Sequence, residues 1–531
     1  MNKRNGASAK WRFGIVALIA FLLGIGLTLL LMSVKRNRAK NDLQRTINII
    51  KENYVDKVDI DDLEESLIPH LLNNLDPHST YLTREESEID MQRLDGAFYG
   101  VGISFNTLID TPVVVNVIMG GPAERAGLQN GDRIMAADGE SLLDKLSSED
   151  IQKRLKGKRG SVVDLSILRS GKSLNIPVTR DEVPIQSIDV SYMVAPEVGL
   201  IRINGWSRST YSEFITCVAK LLKENMKALV IDLRDNAGGY LEPAIEVANE
   251  FLAKGQMIVY NEGKAYPKEE YIANGRGMFP NLPLTILVNE LSASSSEVFA
   301  AAMQDHDRAT IVGRRTFGKG LVQRPFFLPD SSQIRLTIAR YYTPSGRSIQ
   351  KEYTMGDKDE YSRDLIDRMN AGEAYAVDST LFSEAPQYTT DGGRVVYGGY
   401  GVMPDVFVAA DSTHSNSYYL RLIESGLISE FAFRYADTNR KALSSLHSPQ
   451  EIADYLRQKG TLIHSLASYA AKHGIQQRTI LLQEAAPQLE RVLFAQIAQF
   501  ILGTEGFYCI YYKDDTTIAA AIEVLKKQIE A

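Results

Sequence analysis

The amino-acid sequence predicts an α/β multidomain protein. A β-rich module precedes an α/β core, helical regions flank both, and one transmembrane helix lies near the N-terminus. Three observations carry this reading. Between residue 183 and about 405, the buried-strand patterns Ala228-Leu229-Val230-Ile231-Asp232-Leu233 and Leu284-Thr285-Ile286-Leu287-Val288 alternate with amphipathic helical patterns at 241–252 and 297–303. Such repetition sets functional loops at the strand ends of an open sheet. Between 96 and about 182 the texture shifts to short strands, at 101–105, 112–118, 162–168 and 173–178, separated by glycine turns. Residues 13–34 carry no charge at all.

That uncharged run would be about 33 Å long as a helix, enough for a ~30 Å hydrocarbon core. It is longer than the apolar part of a signal peptide and ends in Met32-Ser33-Val34-Lys35-Arg36 without a small-x-small cleavage site. It therefore reads as an uncleaved signal-anchor, with a cleaved signal or a buried soluble helix as the alternatives. Lys3, Arg4, Lys10 and Arg12 precede it and Lys35, Arg36, Arg38 and Lys40 follow, so charge alone does not orient it. The simplest topology has a short cytoplasmic tail at 1–12 and the remainder on the extracytoplasmic, periplasmic side. The chain has 531 residues, 44% apolar and 24% charged, with net charge −7. That length implies several domains, and the charge gives no overall attraction to nucleic acid. Cys217 and Cys509 are its two cysteines, too few for a disulfide framework or a Cys-x-x-Cys metal site.

The expected divisions are the tail 1–12, the span 13–34, a helical region 35–95, the β-rich module 96–182, the α/β core 183–405 and a helical region 406–531. Leu43, Ile47 and Ile50 form one helical stripe, and Leu63, Leu67, Leu71 and Leu75 another. Asp76-Pro77-His78-Ser79 breaks the pattern as a turn. Residues 351–378, charged and glycine-containing, read as an exposed insertion. The helices after 406 carry no recognisable chemistry, although helices at both ends could mediate an oligomer.

Within the β-rich module, Gly121-Pro122-Ala123-Glu124-Arg125-Ala126-Gly127-Leu128 and Gly131-Asp132-Arg133-Ile134 give a proline-initiated helical turn, a glycine stop and a returning strand. This stretch resembles a PDZ domain, with Gly100, Val101, Gly102 and Ile103 where the carboxylate-binding loop belongs. The resemblance implies that an extended peptide adds a strand to the sheet edge and that backbone N–H groups capture its C-terminus.

The chemistry concentrates in three loops. Ser294-x-x-Glu297 before Val298-Phe299-Ala300-Ala301-Ala302 is a capping-box pattern, and a serine at a helix start also faces unpaired N–H donors. What turns a cap into a nucleophile is a base. No histidine is set for the role, His78 and His306 reading as turn and helix-end residues. Lys319, in Gly318-Lys319-Gly320-Leu321-Val322-Gln323, is the better candidate. Phosphate-loop spacing is absent. If 319–323 is a strand, Lys319 and Gln323 share a face. A lysine base must be neutral, a shift of roughly 3 pKa units that desolvation can supply. Arg234-Asp235-Asn236-Ala237-Gly238-Gly239 follows a strand and precedes a helix, so its N–H groups, with that of Ser295, could form an oxyanion hole.

These three motifs, in this order, resemble the carboxyl-terminal processing proteases, the tail-specific serine/lysine peptidase family. The PDZ-like segment before them and Gly398-Gly399-Tyr400-Gly401-Val402-Met403-Pro404-Asp405 after them fit the same pattern. The resemblance spans roughly 45–410 and implies a crotonase-like α/β protease core. It also implies an endopeptidase acting on protein C-termini through an acyl-enzyme, with neither metal nor other cofactor. Carried over by position, Ser294 is the nucleophile, Lys319 the general base, Gln323 its orienting partner, and Gly238 or Gly239 with Ser295 the oxyanion donors. Ala237 stands where the family often has proline and Ser295 where it often has alanine. Neither change removes a backbone donor. The rival readings are a non-catalytic PDZ adaptor or chaperone that binds C-termini, and a ligand-binding enzyme with a similar glycine-rich turn.

Overall fold

The computed structural model describes residues 41–107, 111–118, 120–143, 146–169, 171–377 and 385–530. The expected tail and membrane span lie outside the described residues. The chain divides into two compact units, residues 1–75 and 76–531. In the first, helices Asn41–Asn53 and Ile60–Asn73 form where the apolar stripes predict them, the second capped by Asp59, whose carboxylate accepts from the Asp61 N–H at 3.0 Å. The expected helical region does not run unbroken to 95. Strand Thr80–Leu82 intervenes and pairs antiparallel with Gln333–Tyr342, and helix Arg84–Asp95 follows behind a Thr83/Glu86 capping box.

The β-rich module is an antiparallel sheet in the order Ile103–Asn106, Val113–Val117, Arg133–Ala137, Val162–Arg169, Lys172–Thr179. Alternation decides its faces. Val163, Leu165 and Ile167 are fully buried while Val162 is half exposed. The expected helical turn is Pro122–Ala126, with proline at its start and Gly127 closing it in the left-handed region. A two-stranded ribbon, Ala97–Gly100 against Asp181–Pro184, carries the chain in and out of the module.

The α/β core is built on a six-stranded sheet in the order Ile188–Ala195, Val198–Ile203, Ala228–Asp232, Leu284–Val288, Thr310–Gly313, Val406–Phe407. The first pair is antiparallel and the rest parallel. Its central strands are buried along their whole length, as strands covered on both faces must be. One face, with Ile201, Leu229, Ile231 and Ile286, packs on helices Thr210–Lys223, Leu241–Asn249 and Ser295–Asp305. The opposite face, with Leu200, Val230, Leu287 and Val312, packs on Ile518, Ala521 and Leu525 of the C-terminal helix Thr516–Glu530.

This corrects the expected boundary at 405/406. The sixth strand, Val406–Phe407, and the last helix both belong to the core's packing, because the sheet's second apolar face is covered by that helix together with Tyr508, Tyr511 and Tyr512 just before it. Between them, helices Ser417–Glu424, Leu427–Thr438, Pro449–Lys459, Leu462–Lys472 and Thr479–Tyr511 form a bundle with its own apolar cluster. Thr479–Tyr511 is the one described helix long and apolar enough to cross a membrane by length and composition. It is bent at Gly503, and its Leu489, Leu493 and Ile497 are fully buried in the bundle cluster. Val113 of the β-rich module is buried in the same cluster, and Arg133 pairs with Asp437 at 2.7 Å. A second correction concerns residues 351–378. They are not simply an exposed insertion: helix Lys358–Asn370 buries Tyr361 and Arg368.

Leu525 is fully buried against the core sheet. Leu525→Ala should therefore lower unfolding stability by about 2–5 kcal/mol, whereas Lys526→Ala on the exposed side should change it by less than about 0.5 kcal/mol. Denaturant titration measures both, and a Leu525→Ala protein that unfolds with the wild type would sink this packing assignment.

Candidate active site

The serine turn follows the buried strand Leu284–Val288. Asn289 and Ser292 close it: the Asn289 N–H donates to Ser292 Oγ (3.0 Å), and Ser292 Oγ–H donates to the Leu233 carbonyl (2.8 Å). Ser294 then adopts φ 57°, ψ −118°, a left-handed conformation that costs a side-chain-bearing residue about 1–3 kcal/mol. The sequence suggested an ordinary cap, and the strain is what it did not show. The neighbouring hydroxyls are engaged in structure. Ser295 Oγ–H donates to the Gly239 carbonyl (3.0 Å), and Ser296 Oγ–H to the Asn236 carbonyl (3.1 Å) while accepting from Trp206 Nε1 (3.0 Å). Ser294 Oγ donates to no described group, and Ser294 is the one residue of 292–297 that is not buried.

The glycine turn sits directly against this serine. Gly238 has φ 99°, and a Cβ there would lie 2.7 Å from Ser294 Cβ and 2.9 Å from the Ala293 carbonyl oxygen. Only glycine permits that approach. The Gly238 N–H, expected to face an oxyanion, instead donates to Asn236 Oδ1 at 2.9 Å. Asn236 is fully buried and its Nδ2 donates to the Ile203 carbonyl (2.9 Å), so the side chain is fixed at both ends. Among the described residues the N–H groups of Gly239 and Ser295 donate to no backbone carbonyl. A buried charge network stands behind the turn. Arg202 reaches Asp232, Asp235 and Asp189, and Arg234 is bidentate on Asp232. Two C-terminal residues complete it: Tyr512 Oη accepts from Arg202 (2.8 Å), and Asp515 pairs with Arg234 (2.8 Å). Nothing local in the sequence marked either of them.

The lysine loop is tied to the serine turn by Glu297. Its fully buried carboxylate accepts from four donors: Ser294 N–H (2.9 Å), Thr316 Oγ1 (2.5 Å), Gly318 N–H (2.7 Å) and Lys319 N–H (2.8 Å). Burial raises its pKa above the ordinary carboxylate value, against the pull of these donors. Lys319 Nζ donates to Gln323 Oε1 at 3.0 Å, and Gln323 Nε2 donates to the His78 carbonyl at 2.6 Å. Simple strand alternation is not what brings the pair together. The strand begins at Leu321, and its register shifts between Val322 and Gln323. Desolvation, helped by the nearby Arg335 charge and opposed by Glu297, lowers the Lys319 pKa to about 8. No hydrogen bond joins Ser294 Oγ to Lys319 Nζ among the described residues. His78, read as a simple turn residue, lies at the site because its carbonyl holds Gln323.

Of the four residues expected at the peptide-binding loop, Gly100 ends the ribbon strand Ala97–Gly100 and Ile103 starts the sheet's edge strand. Val101 is buried in the module core, and its carbonyl accepts from Ala123 N–H (2.7 Å). The Gly102 carbonyl accepts from Ile118 N–H (3.1 Å). Ile103–Asn106 pairs with Val113–Val117 on one side, and no described strand pairs with its other side.

Comparison with known proteins gives three family matches: peptidase family S41 over residues 197–358, a PDZ domain over 113–169, and a family of unknown function over 418–503. A probable CtpA-like serine protease of Staphylococcus aureus is 33% identical over 311 residues, 58% of this chain and 62% of that protein. The match thus spans less than two thirds of that relative's length. A carboxy-terminal-processing protease of Bartonella bacilliformis is 33% identical over 348 residues, 62% of this chain and 80% of that one. Among solved structures, a photosystem II D1 C-terminal processing protease is 25% identical, covering 69% of this chain and 92% of its own, with a TM-score of 0.34. With four fifths of the Bartonella protein covered at one-third identity, the chain belongs to the carboxy-terminal-processing protease family, within peptidase family S41.

Proposed function

We propose that this protein is a serine endopeptidase that captures protein C-termini on its PDZ module and cleaves them with Ser294 and Lys319. The observation that carries the reading is the convergence at Glu297. One buried carboxylate fixes both the strained serine turn and the lysine loop, and the serine hydroxyl is left without an acceptor. In the reaction, neutral Lys319 Nζ takes the Ser294 hydroxyl proton as Oγ attacks the peptide carbonyl carbon. The N–H groups of Gly239 and Ser295 face the developing oxyanion; that of Gly238 can join them only by releasing Asn236. The Lys319 ammonium then protonates the leaving amine, and the acyl-enzyme is hydrolysed by water with Lys319 again as base. Gln323 orients the lysine without adding a charge that would hold it protonated. Catalytic hydrogen bonds often tighten only with substrate bound, which accommodates the missing Ser294–Lys319 bond.

The open edge of Ile103–Asn106, reached from Gly100, Val101 and Gly102, is the proposed seat of the substrate tail, held as an added strand. The reaction calls for neither metal nor nucleotide. Residues 13–34 serve as a membrane anchor in this reading, with the catalytic part extracytoplasmic. The open dyad also fits a rival, a non-catalytic PDZ adaptor, and a covalent serine probe separates the two. Labelling of the wild type that is lost in Ser294→Ala, with degradation of a tailed substrate lost in both Ser294→Ala and Lys319→Ala, supports the peptidase. Peptide binding without labelling supports the adaptor.

Two further outcomes follow. Because the neutral amine is the active form, kcat/KM should rise with pH through an apparent pKa near 8; a rising limb at pH 10 or above would remove Lys319 as the base. Glu297→Gln turns an amide NH₂ toward N–H donors that now meet a carboxylate. It should cost roughly 2–4 kcal/mol in stability and at least about 100-fold in kcat, read by denaturant titration and peptide hydrolysis. Wild-type kcat in that variant would contradict the tie.

A further inference from the structure

We infer that Tyr361, on the insertion helix Lys358–Asn370, is a positioning residue for the Lys319 base and acts through His78 and Gln323. The inference rests on the Ser294/Lys319 reading above.

Gln323 has an acceptor end and a donor end. A main-chain carbonyl can only accept, so the His78 carbonyl compels Nε2 to face it at 2.6 Å and turns Oε1 to Lys319 Nζ at 3.0 Å. A neutral amine that gives one N–H to Oε1 has lost most of its freedom about the Cε–Nζ bond, and its lone pair has a defined direction. The place of the His78 carbonyl therefore sets the aim of the base.

Two sets of contacts hold His78. On the main-chain side, Asp76 Oδ1 accepts from the N–H groups of His78 and Ser79, both at 3.0 Å, and from Thr337 Oγ1 at 2.8 Å. On the side-chain side, His78 Nε2 lies 3.0 Å from Tyr361 Oη, and the two rings meet edge to face at 5.1 Å. Burial, with Lys319, Lys351 and Lys358 adding to it against Asp76, brings the His78 pKa down to about 3. The imidazole is neutral at working pH. Burial pushes the Tyr361 phenol up, so it keeps its proton, and one hydrogen bond between two neutral groups joins Oη to Nε2.

The insertion and the residue just before it grip the loop from other points. Lys358 Nζ donates to the Ser79 carbonyl (2.7 Å), Arg368 donates to the carbonyls of Arg315 (3.0 Å) and Thr316 (3.1 Å), and Gln350 Oε1 accepts from Gly320 N–H (2.8 Å). Arg368 of the insertion and Gln350 just before it thus hold both ends of the segment that carries the lysine, and Tyr361 contacts the side chain of His78, the residue whose carbonyl holds Gln323.

Tyr361→Phe tests this, because it removes the hydroxyl and keeps the ring that packs on Phe317 and Lys351. The full-length protein is assayed on a tailed peptide in wild-type and Gln323→Ala backgrounds. The expected result is a kcat about tenfold lower with KM unchanged, and no further loss when Tyr361→Phe is added to Gln323→Ala. A general structural defect would persist in the Gln323→Ala background. Wild-type kcat in Tyr361→Phe, or an equal loss in both backgrounds, overturns the inference. Ser294→Ala run alongside separates the two claims. If Ser294→Ala cleaves like wild type, the catalytic reading itself falls. If Ser294→Ala is inert and Tyr361→Phe is unimpaired, only the positioning role falls.

Discussion

Glu297 is the constraint on which the rest of the site depends. A carboxylate taken wholly out of water is among the costliest groups a fold can bury. Four donors converge on this one, and it sits in the first turn of helix Ser295–Asp305, where the helix dipole favours negative charge. Each donor belongs to a segment that must be held still: the strained Ser294, and Thr316, Gly318 and Lys319 of the lysine loop. The carboxylate thereby turns two loops far apart in sequence into one rigid object. Ser294 can keep a positive φ because its own N–H is anchored there.

The glycine turn is the third member, and it is held from the opposite side of the sheet. Arg202 and Arg234 are buried beside Asp232 at the end of a central strand, and removing any partner would leave an unbalanced buried charge. Tyr512 and Asp515 of the C-terminal region supply part of that balance. The same region covers the sheet's second face through Leu525 and takes Val113 and Arg133 of the PDZ module into its packing. A stretch with no chemistry of its own is thus in contact with the sheet, the network behind the glycine turn and the PDZ module. Its effect is to fix their mutual placement.

Much of this was legible in the sequence, and the legible parts share a physical reason. Ser294, Lys319 and Gly238-Gly239 stand in loops whose composition makes little sense as surface. Strands such as Ala228–Asp232 announce burial by an unbroken apolar run, here Ala228 to Ile231. Pro122 and Gly127 fix the helical turn of the PDZ module by backbone geometry alone. The rest depended on partners that periodicity cannot reveal. Glu297 was legible as a cap and not as the tie to Lys319, because three of its four donors lie 19 to 22 residues away. His78 contributes a carbonyl, which any residue has. The charged insertion at 351–378 looked solvated because its buried members, Lys351, Tyr361 and Arg368, are separated by exposed ones. Tyr512 and Asp515 act on a turn nearly 300 residues earlier. The register shift between Val322 and Gln323 shows the limit of pattern reasoning: the pairing of Lys319 with Gln323 was anticipated, but not by the geometry that produces it.

The chemistry of the lysine explains why its partner is a glutamine. Lys319 is lowered mainly by desolvation, and the Arg335 charge adds to the effect while Glu297 works against it. A carboxylate at position 323, 3.0 Å from the amine, would favour the ammonium form and undo the lowering. A neutral amide accepts one N–H and leaves the charge balance unchanged. Glu297 can lie close because it faces the main-chain N–H of Lys319, with its charge already shared among four donors, and not the side-chain amine. The site thus separates two tasks that a single acid could not perform together. One group carries negative charge and fixes the backbone, and another carries none and holds the amine.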